Sequence, residues 1–358
     1  MKKSLLFWII IGVFFAGCEP DRRDASQKTK QSPRIRKSIE LTAPGINSEI
    51  KTGESITFSI KHKDPTGRID SAFLLFDNQK IRFENNRSIW KSSNQIGRYN
   101  FQILAYTAGT NESLHPTVTI LPSTPPVEYS YRILKSFPHD EGAWTQGLFF
   151  SDKVLYESTG QNGESSLRKV NLLSGEVIQS TNLEDEYFGE GSTLWNNNIY
   201  WLTWTGRVGF VYDQSLKRTQ SFNYTTEGWG ITTKGDTLIM SDGTENLYFM
   251  RPEDFSLIKT VQVYDHRGKV DELNELEFID GLIYANVWGE DKIVIIDPST
   301  GIVVGTCLFN GIYTGYRANR YDKSMNGIAV DADGRIFVTG KYWPELHEIS
   351  LSPKNNNL

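Results

Sequence analysis

Gln146-Gly147-Leu148-Phe149-Phe150, a polar turn at Ser151-Asp152-Lys153, and Leu155-Tyr156-Glu157-Ser158 form the pattern that decides the fold, because it returns four more times. Glu190-Gly191-Ser192-Thr193-Leu194 leads to Ile199-Tyr200-Trp201-Leu202, and Gly228-Trp229-Gly230-Ile231 leads to Leu238-Ile239-Met240-Ser241. Asn274-Glu275-Leu276-Glu277-Phe278 leads to Ile283-Tyr284-Ala285-Asn286, and Asn326-Gly327-Ile328-Ala329-Val330 to Ile336-Phe337-Val338-Thr339. The connections, such as Asn196-Asn197-Asn198, Asp280-Gly281 and Asp333-Gly334, have the chemistry of tight hairpin turns, where Asn, Asp and Gly tolerate a positive φ. A third and a fourth apolar run follow the hairpins, as in Leu167-Arg168-Lys169-Val170 and then Val177-Ile178. Four strands about every 45 residues is the period of a propeller blade. The fifth repeat ends at Leu346-His347-Glu348-Ile349-Ser350-Leu351 without a fourth strand, while Tyr129 to Leu134 precedes the first repeat and has no hairpin partner. Joining the two gives an all-β, five-bladed β-propeller over residues 127–358, closed by its own N-terminal strand and so free of open sheet edges.

Upstream, residues 38–121 alternate apolar and polar side chains in short runs, such as Ser55-Ile56-Thr57-Phe58-Ser59-Ile60, between turn clusters like Asp64-Pro65-Thr66-Gly67. That pattern predicts a small immunoglobulin-like β-sandwich. Residues 122–126, which include Pro122, Pro125 and Pro126, read as a stiff linker. Lys2 and Lys3, an apolar run from Leu5 to Ala16, and Gly17-Cys18 form an export signal over residues 1–17, too short to span a bilayer as a helix. The signal is similar to that of a lipoprotein, which implies lipidation of Cys18, a polar tether over 18–37, and a place in the cell envelope. Phe15 stands where such signals usually carry Leu.

Composition excludes several functions. The net charge is −5, and losing Lys2 and Lys3 with the signal makes the chain more acidic, so nucleic acid is not an expected partner. The five histidines, at 62, 115, 139, 266 and 347, show no metal-ligand spacing. Cys307, the only cysteine besides Cys18, lies in an apolar run. There is no Gly-x-Ser-x-Gly elbow and no phosphate-binding glycine loop.

In a hairpin the start of the first strand and the end of the second lie side by side, away from the turn. If five hairpins surround one axis, their open ends meet on one face. Trp144, Gln146, Phe188, Glu190, Trp229, Asn274 and Glu275 stand at strand starts there, and Glu157, Trp204, Asp242, Trp288 and Lys341 at strand ends. An aromatic-lined mouth holding a few polar groups is a small-molecule site, and a carboxylate in apolar surroundings suits acid/base chemistry. The bland alternative is aromatic packing between blades.

These residues resemble the plant and bacterial type glutaminyl-peptide cyclotransferases. Pro138-His139-Asp140, Trp144-Thr145-Gln146-Gly147-Leu148, Tyr156-Glu157-Ser158-Thr159-Gly160, Phe188-Gly189-Glu190-Gly191, Gly228-Trp229-Gly230, Leu273-Asn274-Glu275 and Thr339-Gly340-Lys341 carry the resemblance. It spans the second domain and leaves the N-terminal sandwich outside. It implies conversion of N-terminal glutamine in peptides to pyroglutamate with release of ammonia. It further implies Glu190 as the catalytic acid/base, Gln146, Asn274 and Lys341 as polar substrate contacts, and Trp144, Phe188, Trp204, Trp229 and Trp288 as the aromatic pocket. No cofactor is expected for catalysis, although a structural calcium in the central channel accords with the resemblance. Trp144 departs from the family's usual Phe, and Ser192 from its usual Leu. The rival from another class is a non-catalytic propeller lipoprotein that binds peptides or glycans; a metal-dependent lactonase would commonly have six repeats.

Overall fold

The computed structural model describes residues 37–354, and among these every regular element is a strand. The hairpin turns have the backbone their residues foretold: Asp152, Lys153, Asn196, Asn197 and Asp280 all have positive φ. Three four-stranded antiparallel meanders follow one another, beginning with the strands Thr145–Ser151, Gly189–Trp195 and Ile231–Lys234. A fourth begins at Leu273–Ile279, and a fifth consists of Met325–Val330, Ile336–Gly340 and Glu345–Pro353 with the strand Val127–Pro138 as its outermost member. That last pairing is antiparallel and runs from Tyr129↔Pro353 to Pro138↔Glu345. The strand is longer than the sequence suggested, and Val127–Tyr129 also pairs in parallel with Gly305–Cys307. The outer edges of the fourth and fifth meanders therefore merge into one eight-stranded sheet.

Period-two alternation explains how the meanders pack, since successive side chains on a strand point to opposite faces. In Asn198–Thr203, Ile199 and Trp201 join a core with Phe149, Tyr156 and Leu167 of the first meander. Their neighbours Tyr200 and Leu202 join the core on the other face, with Ile231, Leu238 and Met240 of the third. Ile239 and Phe249 pack with Ile283 and Val294, Ile293 and Cys307 with Ile328 and Val338, and Phe337 and Leu346 with Leu148 and Leu155. Five apolar layers thus link each meander to the next and the last to the first. Both faces being covered, the second strand of a meander, as in Asn198–Thr203 and Thr237–Ser241, is buried at nearly every position rather than at alternate ones.

Residues 39–121 form two three-stranded sheets and one four-stranded sheet around a core that includes Phe58, Leu74, Trp90, Phe101 and Ile120. All these strands share one compact unit, beginning at Ser38, with the meanders. Ile96 and Leu121 bury against Tyr264 and Ile302, while the Gln262 side chain accepts a bond from the Arg98 amide at 2.9 Å.

Candidate active site

The inner strands are irregular where the site residues stand. Register slips between Thr145 and Gly147, between Gly189 and Ser192, between Leu273 and Leu276, and between Met325 and Ile328. The displaced residues are Gln146, Glu190-Gly191, Asn274-Glu275 and Asn326-Gly327. Before the third inner strand the pattern recurs: the Trp229 amide donates to the Ser241 carbonyl and the Ser241 amide to the Gly230 carbonyl. A bulge breaks the alternation of faces and re-aims a side chain. Gln146, Glu190, Trp229 and Asn274 are thereby turned toward one cavity, and the displaced Asn326 bonds Gln146, while the apolar residues of these strands stay in the cores. Close approach of neighbouring strands requires glycine at two of these points. A Cβ on Gly147 would lie 2.7 Å from the Ser192 amide nitrogen, and one on Gly191 2.7 Å from the Trp229 carbonyl oxygen.

A cavity of about 220 Å³ results, lined by Trp144, Gln146, Gln161, Phe188, Glu190, Trp204, Trp229, Asn274, Trp288 and Lys341. Every substrate-site residue singled out in the sequence is brought to it. Cys18 lies outside the described residues. The volume corresponds to about seven waters at roughly 30 Å³ each, room for one amino-acid residue with the remainder of a peptide outside. Trp204, at 39 % exposure, forms the lip. Trp229 meets Trp288 edge-on at 5.4 Å between ring centroids, and Phe188 meets Trp204 at 5.7 Å.

Glu190 is buried, and its main chain is clamped: its carbonyl accepts from the Ser158 hydroxyl at 2.8 Å and the Trp201 indole at 3.0 Å. Burial pushes its carboxyl well above the usual range; Lys341 opposes this shift and Glu227 adds to it. Lys341 is buried too, and desolvation lowers its pKa to about 8 against the pull of Glu190. No ion pair within 4.0 Å joins them; the Lys341 ammonium sits 5.1 Å from the Trp144 ring centroid and 5.9 Å from that of Trp288. Asn326 donates to Gln146 Oε1 at 3.0 Å, which leaves the Gln146 amide NH₂ for the cavity. The indole N–H groups of Trp144 and Trp288 and the Oδ1 of Asn274 are buried without a partner. Such orphans in a native fold call for an explanation, and a ligand supplies one. The site offers N–H donors, a cation, a lone acceptor and one proton-carrying carboxyl.

Three residues expected at the rim are elsewhere. Glu157 accepts from His139 Nε2 at 3.0 Å and from the Thr145 hydroxyl at 2.7 Å, in a buried ion pair. Asp242 accepts from the Tyr248 hydroxyl and from Thr244. Glu275 is buried, accepting the Ile328 amide at 2.8 Å and the Leu148 amide at 3.3 Å. A hairpin mouth fixes position along the axis but not the face, and the bulges choose the face. Sequence reasoning also missed Gln161, which lines the cavity with a positive φ of 90°, and Glu227, Asn326 and Tyr321 around it. The recurring polar-or-aromatic residue followed by glycine, as in Gln146-Gly147 and Glu190-Gly191, was the available signal for the bulges.

Residues 103–351 match the family model described as glutamine cyclotransferase. The match reaches back into the strands before residue 121, beyond the resemblance visible in the sequence motifs. A curated Arabidopsis thaliana protein named glutaminyl-peptide cyclotransferase is 40% identical over 234 residues, spanning 63% of this chain and 73% of its own. Among solved structures, the Myxococcus xanthus glutaminyl cyclase is similar with a TM-score of 0.59 and 35% identity, over 64% of this chain and 100% of its own.

Proposed function

This chain belongs to the glutamine cyclotransferase family, and from that premise we propose that it cyclises N-terminal glutamine of peptides to pyroglutamate with release of ammonia, Glu190 carrying the proton. It is a transferase that acts on peptides or proteins with an N-terminal glutamine. The observation that carries the assignment of roles is the convergence, in one residue-sized cavity, of the buried Glu190 carboxyl with unpartnered donors and a single unpartnered acceptor.

The substrate's α-amine attacks its own γ-carboxamide carbon. Proximity is built into the five-membered ring, so no enzyme nucleophile is needed. As the ring C–N bond forms, the amine nitrogen gives up a proton to Glu190. Glu190 returns a proton to the carboxamide nitrogen, whose bond to carbon breaks, and ammonia leaves. A carboxyl lifted toward neutrality by burial performs both transfers. The Gln146 amide and the Lys341 ammonium donate to the transient oxyanion, and Asn274 Oδ1 accepts from the substrate's nitrogen. The aromatic walls exclude water and keep the carboxyl's pKa high.

We read the five meanders as the blades of a five-bladed propeller, on the support of the cyclic succession of apolar layers, and residues 38–121 as an immunoglobulin-like sandwich before it, with 122–126 as linker. Catalysis is proposed to need no cofactor. A calcium ion in the channel would call on Glu275 and Glu277, but both accept backbone amides, and among the described residues no three acidic, His or Cys side chains group as a metal site. Calcium also takes backbone and amide carbonyl oxygens and water, so a structural ion in the channel is compatible with this reading. Residues 1–17 are proposed as a signal and Cys18 as a lipid anchor to the cell envelope; a Cys18→Ser protein remaining in the membrane fraction would refute this. The deciding assay is ammonia release from a glutamine-leading dipeptide. Binding without turnover would instead favour the non-catalytic alternative.

A further inference from the structure

The four pocket tryptophans divide into two kinds. The indole N–H groups of Trp144 and Trp288 have no protein partner. Those of Trp204 and Trp229 both donate to one oxygen, Oε2 of Glu227, at 2.7 and 3.0 Å. Glu227 lies in the segment between the strands Arg218–Asn223 and Ile231–Lys234 and does not itself line the cavity. Its two partners come from different meanders. Trp204 carries Phe188 against its edge, and Trp229 carries Trp288. One carboxylate oxygen thus joins the two halves of the aromatic wall through charge-assisted bonds, which are about twice as strong as neutral ones. Among the described residues no ion pair neutralises Glu227, so its charge acts across the pocket.

We infer that Glu227 is the positioning residue that holds Trp204 and Trp229 in register around the substrate, and that its negative charge shapes the field in which Glu190 carries the proton. The second half rests on the acid/base reading of Glu190. The ionisable groups facing Glu190 are Lys341, which favours the carboxylate, Glu227, which opposes it, and Tyr224, whose own ionisation Glu190 disfavours. Removing the charge at Glu227 leaves burial as the one influence opposing Lys341, so the carboxylate of Glu190 becomes easier to form.

Two variants separate position from charge. In Glu227→Gln the amide oxygen can still accept both indoles, while the charge is gone. In Glu227→Ala both are lost. Near-ultraviolet circular dichroism and KM report the indole clamp, and kcat against pH reports Glu190. Glu227→Gln should keep the wild-type aromatic spectrum and KM to within about twofold, with the Glu190 ionisation moved to lower pH. Glu227→Ala should change the aromatic spectrum and raise KM on the order of tenfold, an effect the Gln variant rescues. A Glu227→Gln pH profile superimposable on wild type overturns the field, and a Glu227→Ala protein with wild-type spectrum and KM overturns the clamp. Failure of the cyclase reading would look different, as absent turnover in the wild type itself, and the spectrum would then decide the clamp.

Discussion

Replacing Glu190 by Gln keeps the shape of the side chain and removes only its capacity to exchange a proton. No second group stands ready to substitute. Glu227 is occupied by two indoles, Glu157 by His139, and Glu275 by backbone amides. The full contribution of a general acid/base should therefore be lost, about 10²- to 10⁴-fold in kcat, or about 2.7–5.4 kcal/mol of barrier at about 1.36 kcal/mol per decade. Stability responds through two opposing effects. Burial raises the Glu190 pKa above its ordinary value of 4.5, so the folded protein keeps a proton that the unfolded chain releases. Stability then falls as pH rises above about 4.5, by at most about 1.4 kcal/mol per unit, until the folded pKa is passed. The Glu190→Gln protein, having no carboxyl to titrate at that position, escapes that loss. Against this, Lys341 loses a carboxyl whose ionised form supports its charge, and its pKa drops below about 8. The two effects partly cancel, and the melting temperature at pH 7 should move by only a few degrees, on a net change of about 1–2 kcal/mol. The assay is ammonia release from a glutamine dipeptide at saturation, beside calorimetric melting and binding of a glutamine peptide. A well-folded Glu190→Gln protein with near-wild-type kcat would refute the proton-carrier role.

His139 has an acceptor at each ring nitrogen, the Trp343 carbonyl at 2.7 Å and Glu157 at 3.0 Å, so it is held as imidazolium, and its pKa is raised by Glu157 against burial. His139→Ala should cost about 3–5 kcal/mol at pH 6 by stranding a buried carboxylate; the pair's stabilisation is complete between the ordinary values of 4.5 for Glu157 and 6.5 for His139, fading as pH rises through the raised His139 value and as it falls through the lowered Glu157 value, which melts at several pH values will report. Gly191→Ala places a Cβ against backbone atoms of Trp229, Gly230 and Ile231 at 2.7–2.9 Å and should destabilise by about 1–3 kcal/mol or more in urea titrations. Lys341, with its pKa near 8 instead of 10.5, binds fewer protons folded than unfolded across that interval, so its contribution to stability rises from about pH 8 to 10.5, while kcat should fall above about pH 8 as the oxyanion donor discharges. A zinc-selective chelator should leave turnover intact; loss of activity restored by zinc, with the fold unchanged, would count against cofactor-free catalysis.

Much of this architecture is written locally. Strand periodicity, the turn residues at Asn196-Asn197 and Asp280-Gly281, the five repeats, and the match of Tyr129–Leu134 to a repeat lacking a strand all follow from neighbours in the chain, and local sterics act on neighbours. The cavity residues were legible for a related reason: large aromatics and lone polar groups at equivalent points of successive hairpins must meet wherever the hairpins share an axis. Which of them face the cavity was decided in three dimensions. Glu157 and Glu190 both stand at hairpin mouths, yet one is buried in an ion pair with His139 and the other opens into the pocket, because a bulge shifts one strand by a residue and alternation then reverses its faces. The Glu227 clamp, the Asn326 bond that orients Gln146 and the pairing of His139 join residues on different strands and loops, and only closing the ring of sheets brings those side chains within hydrogen-bonding distance.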